Sequence, residues 1–200
     1  MSVRTSGRVL WVATRMVLAF TLILGIGYTL AITAIGQIAF PDRANGSLIR
    51  NADGQVVASS LIGQSFSDAD GAPLARYFQP RPSAAEYDAQ KSGGSNAGPE
   101  NPTLIRDIKE RRNQIARFNG VAPASIPADA LTASASGLEP DISPRYAALQ
   151  EARVARARHL SLATVKKLVA QHTTQPYVGF IGEPVVNVVT LNEALDRQKG

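Results

Sequence analysis

Residues 16–40 form an apolar run without one charged side chain, from Met16 through Phe20, Leu22 and Ile23 to Ile38 and Phe40. At about 1.5 Å per helical residue the run is about 37 Å long, enough to cross a hydrocarbon core of about 30 Å with some tilt. Gln37 is the strongly polar group within it; Arg15 closes it on one side, and Pro41, Asp42 and Arg43 on the other. A helix that is apolar on every face needs lipid or a large protein around it, and this chain is too short to bury one. A cleaved export signal carries about 7–15 apolar residues and then a small-x-small site. The run here is longer and no clean Ala-x-Ala follows, so the pattern predicts a retained transmembrane helix. Ala19, Gly25, Gly27, Ala31, Ala34 and Gly36 are small enough to let a second helix approach closely.

Beyond the helix the rhythm shortens. Gly46-Ser-Leu-Ile49 and residues 55–62 are β-prone, and Asn51-Ala-Asp-Gly54 between them predicts a hairpin. Residues 92–102 are Gly, Ser, Asn and Pro with one Ala and one Glu, the composition of a flexible loop. Leu104, Ile108, Ile115 and Phe118 recur near helical spacing, which predicts a helix capped by Thr103 and stopped by Gly120, with Arg106 to Arg112 on a solvated face. Residues 127–144 are turn-rich. Ser143 before Pro144 is a cap and first-turn pair, predicting a helix to about Arg158 that exposes Arg153, Arg156 and Arg158. Ser161 caps a further helix with Leu162, Val165, Leu168 and Val169 as its core face. Residues 185–191 are expected to form a strand, with Asn192 capping a last short helix. Strands at both ends and helices between predict a single N-terminal transmembrane helix followed by a compact α+β domain. The expected divisions are 1–15, 16–40 and 41–200.

Charge sets the orientation. Arg4, Arg8 and Arg15 precede the helix with no acid beside them, whereas Asp42, Arg43, Arg50 and Asp53 after it nearly cancel. The positive-inside rule places 1–15 in the cytoplasm and the 41–200 domain outside. Trp11 sits among the basic residues, a common place for an interfacial indole. The chain carries +5, but three of its 21 basic residues precede the helix and all 16 acids follow it, leaving the outer domain about +2. That is too little and too dispersed for a nucleic-acid surface. With no cysteine, disulfides and thiolate metal sites are excluded.

Reaction motifs are missing too. The chain has no Gly-x-x-x-x-Gly-Lys-Ser/Thr phosphate loop, no dinucleotide glycine pattern outside the membrane run, no Asp-Lys-Thr-Gly and no Gly-x-Ser-x-Gly elbow. His159 and His172 stand alone in sequence and are expected to be surface histidines rather than ligands. Thr164 and Lys167 have the Ser-x-x-Lys spacing without its companion motifs. No catalytic residue and no metal ligand is assigned.

Several stretches do match a family, in order and over nearly the whole chain. Tyr77-Phe-Gln-Pro-Arg-Pro-Ser-Ala84, Ser92-Gly-Gly-Ser-Asn96, Thr132-Ala-Ser-Ala-Ser-Gly-Leu138, Pro140-Asp-Ile-Ser-Pro144, Arg153-Val-Ala155 and Val186-Asn-Val188 with Leu191-Asn192 resemble the KdpC family. So do Gly46-Ser-Leu-Ile49, Ser60-Leu-Ile-Gly-Gln64 and the N-terminal anchor. These are the C subunits of bacterial high-affinity Kdp potassium-transporting ATPases. The chain departs from the family's usual Gly at Ala135, Asp at Glu139 and His at Asp141.

The resemblance implies a non-catalytic accessory subunit of an ATP-driven potassium uptake complex in the bacterial inner membrane. Its partners would be a channel-like potassium-selecting subunit, a P-type ATPase subunit that uses the ATP, and a small hydrophobic subunit. The family is described as a catalytic chaperone needed for assembly and activity that raises the pump's ATP affinity. That role has been linked to a likeness between Ser92, Gly93, Gly94 and Ser95 and the ATP-binding-cassette signature. Here the fourth position is Ser95 rather than Gln, and the predicted topology puts the loop outside, away from ATP. An indirect effect is therefore expected, with direct ATP binding through 92–95 and an anchored hydrolase as the alternatives. Arg81, Asn96, Ser134, Ser136, Gly137 and Ser143 are the candidates for partner contact or loop scaffolding.

Overall fold

The computed structural model describes residues 3–51 and 53–198, and divides the chain into two compact units that meet in sequence between Ser47 and Leu48. The first is dominated by one helix. It runs as α1 (Val3–Phe20), a π-helical stretch (Thr21–Tyr28) and α2 (Thr29–Ala39) without a break. The part long and apolar enough to cross a membrane is Gly7–Ala39, longer than the 16–40 run because the helix continues back past Arg15 and Arg8. Its large apolar side chains are exposed, as a lipid-facing helix requires. The helix stops where Phe40 leaves helical geometry (φ −140°, ψ 55°), since Pro41 disfavours helical backbone in the residue before it. A short α3 (Pro41–Ala44) follows. Asn45 donates to Gln37 Oε1 at 3.0 Å, so the polar amide within the apolar run has a partner.

The second unit opens with the expected hairpin. β1 (Leu48–Arg50) pairs antiparallel with β2 (Val56–Ser59), with a bulge between Ile49 and Arg50. Asn51 Oδ1 accepts from the N–H groups of Asp53 and Gln55 and so closes the turn; Ala52 lies outside the described residues. The second strand is shorter than the 55–62 run that predicts it.

Four helices form the body of this unit. α4 (Pro102–Asn119) is capped by Asn101, whose side chain accepts from Thr103 and Leu104; Thr103 is not the cap, because Pro102 occupies the first helical position. It ends at Gly120 in left-handed geometry (φ 67°), as predicted. α5 (Pro144–Ala157) is capped by Ser143 and α6 (Leu162–Gln171) by Ser161, again as predicted. Val165, Leu168 and Val169 of α6 are buried, but Leu162, the first residue of the helix, is exposed, so the core face begins a turn later than expected. α7 (Val188–Arg197) begins earlier than expected. The β-prone run 185–191 is a strand only as far as Asn187, whose side chain accepts from the Thr190 N–H and caps the helix. Val188, Leu191 and Leu195 then fall on one buried helical face, a packing gain that overrides the β preference of the Val residues. Asn192 is consequently inside α7 and buried.

Two strands come from stretches without a strand signal. β3 (Asp141–Ile142) and β4 (Thr173–Thr174) flank β5 (Val185–Asn187) in a three-stranded sheet ordered β3-β5-β4, antiparallel throughout. Phe78, Ile142, Val154, Val165, Val186, Val188, Leu191 and Leu195 join these pieces in one core. Each such fully buried side chain contributes about 1.5–3 kcal/mol.

Candidate scaffold and partner-contact site

Most of the candidate residues gather around one irregular segment. Residues 77–84 carry no regular structure, since Pro80 and Pro82 remove two backbone donors, yet Phe78 is fully buried. Side chains hold it in place of a neighbouring strand. Asn192 Oδ1 accepts from Phe78 N–H at 2.9 Å and its Nδ2 donates to Phe78 C=O at 2.9 Å. Gln150 does the same for Gln79, accepting at 2.7 Å and donating at 3.0 Å. Two amide side chains thus saturate two consecutive peptide units, as a paired strand would.

Arg153 completes the clamp. It is 4 % exposed, contrary to the expectation that α5 presents it to solvent. The reason is helical spacing: Tyr146, Gln150, Arg153 and Val154 share the buried face of α5. Its Nε donates to Asn119 Oδ1 at 2.9 Å, one terminal nitrogen to the carbonyls of Ala75 and Tyr77, and the other to Gln150 Oε1 at 2.7 Å. The guanidinium also lies 4.4 Å from the Phe118 ring centroid. Among the described residues no carboxylate pairs with it, so burial pulls its pKa down to about 10, partly countered by Tyr146. It remains charged at neutral pH, solvated by oriented dipoles. Arg158, also expected on the surface, binds the carbonyls of Arg76 and Leu195 and the carboxylate of Asp196 at 2.7 Å, and Tyr77 O–H donates to the same carboxylate at 3.0 Å.

The other side of the segment meets the 92–95 and 132–143 loops. Ser83 Oγ donates to Gly137 C=O at 2.6 Å, and Ser134 N–H donates to Pro82 C=O at 3.3 Å. Gly93 N–H donates to Ser136 C=O at 2.8 Å and Ser92 Oγ to the same oxygen at 3.2 Å. Gly137 is left-handed (φ 69°), and a Cβ there would stand 2.7 Å from Gly93 C=O. Gly94 lies close to Ala135, where a Cβ would be 3.0 Å from that residue's carbonyl oxygen. Ser92, Gly93, Gly94, Ser134, Ser136 and Gly137 therefore form one interlocked turn cluster. Ser143 is elsewhere, capping α5 while donating through N–H and Oγ to the Asp129 carboxylate at 2.8 and 3.0 Å. Asp129, Ser143 and Arg81 line a cavity of about 290 Å³ together with Glu139, Asp141 and Glu183. Asn96 stands apart, exposed and left-handed (φ 51°). Ser95 lines a separate hollow with Asn101, Thr103 and Arg111.

Asp141 lies in β3 opposite Asn187. Burial raises its pKa, as does the Glu139 carboxylate, against a lowering hydrogen bond with Asn187. His172 lines the same open hollow as Asp141 and Glu139. His159 is exposed. Among the described residues, no group of three or more His, Cys, Asp or Glu side chains is placed to hold a metal ion.

The fold and site define a class: an α+β domain on an N-terminal membrane-anchor helix, whose buried polar groups hold loops in place. Comparison with known proteins identifies the family. The family model described as "K+-transporting ATPase, c chain" matches residues 10–197, and the chain belongs to this KdpC family. A relative from Gemmatimonas aurantiaca, named as a potassium-transporting ATPase KdpC subunit, is 54 % identical over 184 residues, covering 90 % of this chain and 88 % of that one. Relatives of the same name from Beijerinckia indica and Mycobacterium bovis are 50 % and 47 % identical, covering 88 % and 92 % of this chain and 87 % and 96 % of theirs.

Proposed function

We propose that this chain is the non-catalytic accessory subunit of an ATP-driven potassium-transporting complex, anchored by its N-terminal helix with the 41–200 domain outside. The match to the KdpC family across residues 10–197 carries the reading. Its partners are a channel-like potassium-selecting subunit, a P-type ATPase subunit and a small hydrophobic subunit. The anchor packs against their membrane helices through its small residues, and the outer domain docks over the potassium entrance. Residues 1–15 lie in the cytoplasm, held there by Arg4, Arg8 and Arg15.

Any effect on the pump's affinity for ATP is then indirect, passing through the membrane subunits as a coupling between distant sites. The 92–95 loop supports this. A phosphate cradle needs convergent free N–H groups, often at a helix start, whereas Gly93 N–H is already spent on Ser136 and α4 begins only at Pro102. The test uses the cysteine-free chain: Ser95→Cys is introduced and intact cells, with any outer membrane permeabilised, are treated with a membrane-impermeant thiol reagent. Labelling in intact cells is expected, because Ser95 is exposed. Labelling only after lysis, together with labelling of Ser6→Cys from outside, would reverse the orientation and return direct ATP contact to consideration.

A further inference from the structure

Outside the clamp and the turn cluster, the strongest feature is the connection between β4 and β5. Tyr177 and Ile181 exchange backbone hydrogen bonds at 2.9 Å each, and the Val178-Gly179-Phe180 turn between them is tightened by Gly179 N–H to Pro176 C=O and Phe180 N–H to Tyr177 C=O. Val178 and Gly179 are both left-handed (φ 48° and 85°). The result is a small hairpin tip that presents its side chains outward: Tyr177, Val178, Phe180 and Ile181 are 71, 76, 78 and 57 % exposed. No residue from Thr173 to Gly182 carries a charge.

We infer that this tip inserts into the headgroup–acyl boundary of the membrane that holds the anchor helix. Three observations favour lipid as the occupant. The first is area: two aromatic and two β-branched side chains offer on the order of 500 Å² of apolar surface, a patch size that marks interaction sites but falls short of the roughly 800 Å² per partner of a standard protein interface. The second is chemistry. Tyr and Phe beside aliphatic residues suit the interfacial zone, and the tip itself carries no charge, the exposed Glu183 lying beyond it toward β5. The third is reach. Leu48, where the chain enters the domain, pairs with Ser59, and Ser60 C=O accepts from Asn187 at the base of β5. From Asn187 back to Gly179 the chain spans at most about 28 Å. The tip therefore stays within a few tens of ångströms of a chain entry tethered to the membrane helix through residues 40–47, so it meets the bilayer at high effective concentration. With no Lys or Arg at the tip, insertion does not depend on anionic lipid.

The inference rests on the helix being an anchor, and the test separates the two. The full-length chain carrying Trp11→Phe and Phe180→Trp is reconstituted in phosphatidylcholine nanodiscs, alone and with the other subunits of the complex. A Trp11→Phe, Arg112→Trp chain serves as control, since Arg112 is exposed on α4. The tip tryptophan is expected to be blue-shifted and quenched by shallow brominated phosphatidylcholine, equally with and without anionic lipid, while the α4 tryptophan emits as in water and is not quenched. Water-like, unquenched emission from the tip of the lone chain overturns the inference. A blue shift that appears only with the other subunits, without quenching, overturns it in favour of protein docking. A chain that does not stay with the nanodiscs overturns the anchor reading and this one together.

Discussion

Replacing Arg153 with Ala removes the donor side of four hydrogen bonds, two to the buried side chains of Asn119 and Gln150 and two to the carbonyls of Ala75 and Tyr77. Each buried acceptor left without a donor costs about 1–3 kcal/mol. Gln150 Oε1 keeps the Gln79 N–H, and small shifts can admit water to some of the others. The lost ring contact with Phe118 and the cavity add to the cost. Removing the guanidinium also relieves its own desolvation, which burial signals by depressing its pKa. These opposing contributions leave a net destabilisation of about 3–5 kcal/mol, the range found when one member of a buried charged network is removed. Urea unfolding of the full-length chain in detergent, followed by far-ultraviolet circular dichroism, measures it. With a slope of about 2 kcal/mol per molar urea, the midpoint should fall by roughly 2 M. Arg156→Ala, exposed on the same helix, should stay within about 0.5 kcal/mol of the parent. Arg153→Lys keeps the charge but not the planar fork, so it should recover only part of the loss. Equal midpoints for the Arg153 and Arg156 variants would refute the clamp as the organiser of residues 75–79.

Other outcomes follow from the same geometry. Gly137→Ala combines a left-handed φ with a Cβ 2.7 Å from Gly93 C=O, so it should loosen the 92–95 turn and speed tryptic cleavage after the exposed Lys91; Gly93→Ala, which meets open space, should not. Asn192→Ala strips both hydrogen bonds from the Phe78 peptide groups and should cost about 2–4 kcal/mol, read as the same urea midpoint shift. Asp141 has a raised folded pKa, so the folded state holds the extra proton: its contribution is fully present below the unfolded pKa and is lost as pH rises through the folded value. Asp141→Asn should therefore raise stability at neutral pH and flatten this part of the acidic limb of the stability profile; a variant less stable at neutral pH, with the slope retained, would remove burial as the cause.

The sequence was legible where the signal is local. The apolar run, the hairpin turn at Asn51 and Gly54, and the Ser143 and Ser161 caps each depend on a few adjacent residues, and each stands where the pattern predicts. Signals that needed a partner were misread. Arg153 looked like a surface charge beside Arg156, although its spacing from Tyr146 and Gln150 already put it on the inward face; what sequence could not supply was the set of carbonyls waiting there, contributed from residues 75–77 and 119. Asn192 looked like a cap because it follows a β-prone run, and only packing of Val188, Leu191 and Leu195 starts the helix five residues sooner, at a cap on Asn187. β3 and β4 are two residues long and are strands only because β5 runs between them. The candidate residues divided along the same line. The turn cluster of Ser92, Gly93, Ser134, Ser136 and Gly137 was visible as motifs, while the amide and guanidinium clamp that fixes the neighbouring 77–84 segment was not. A loop held on both flanks in this way has its shape set before any partner arrives, and that shape costs little further ordering when the subunit docks.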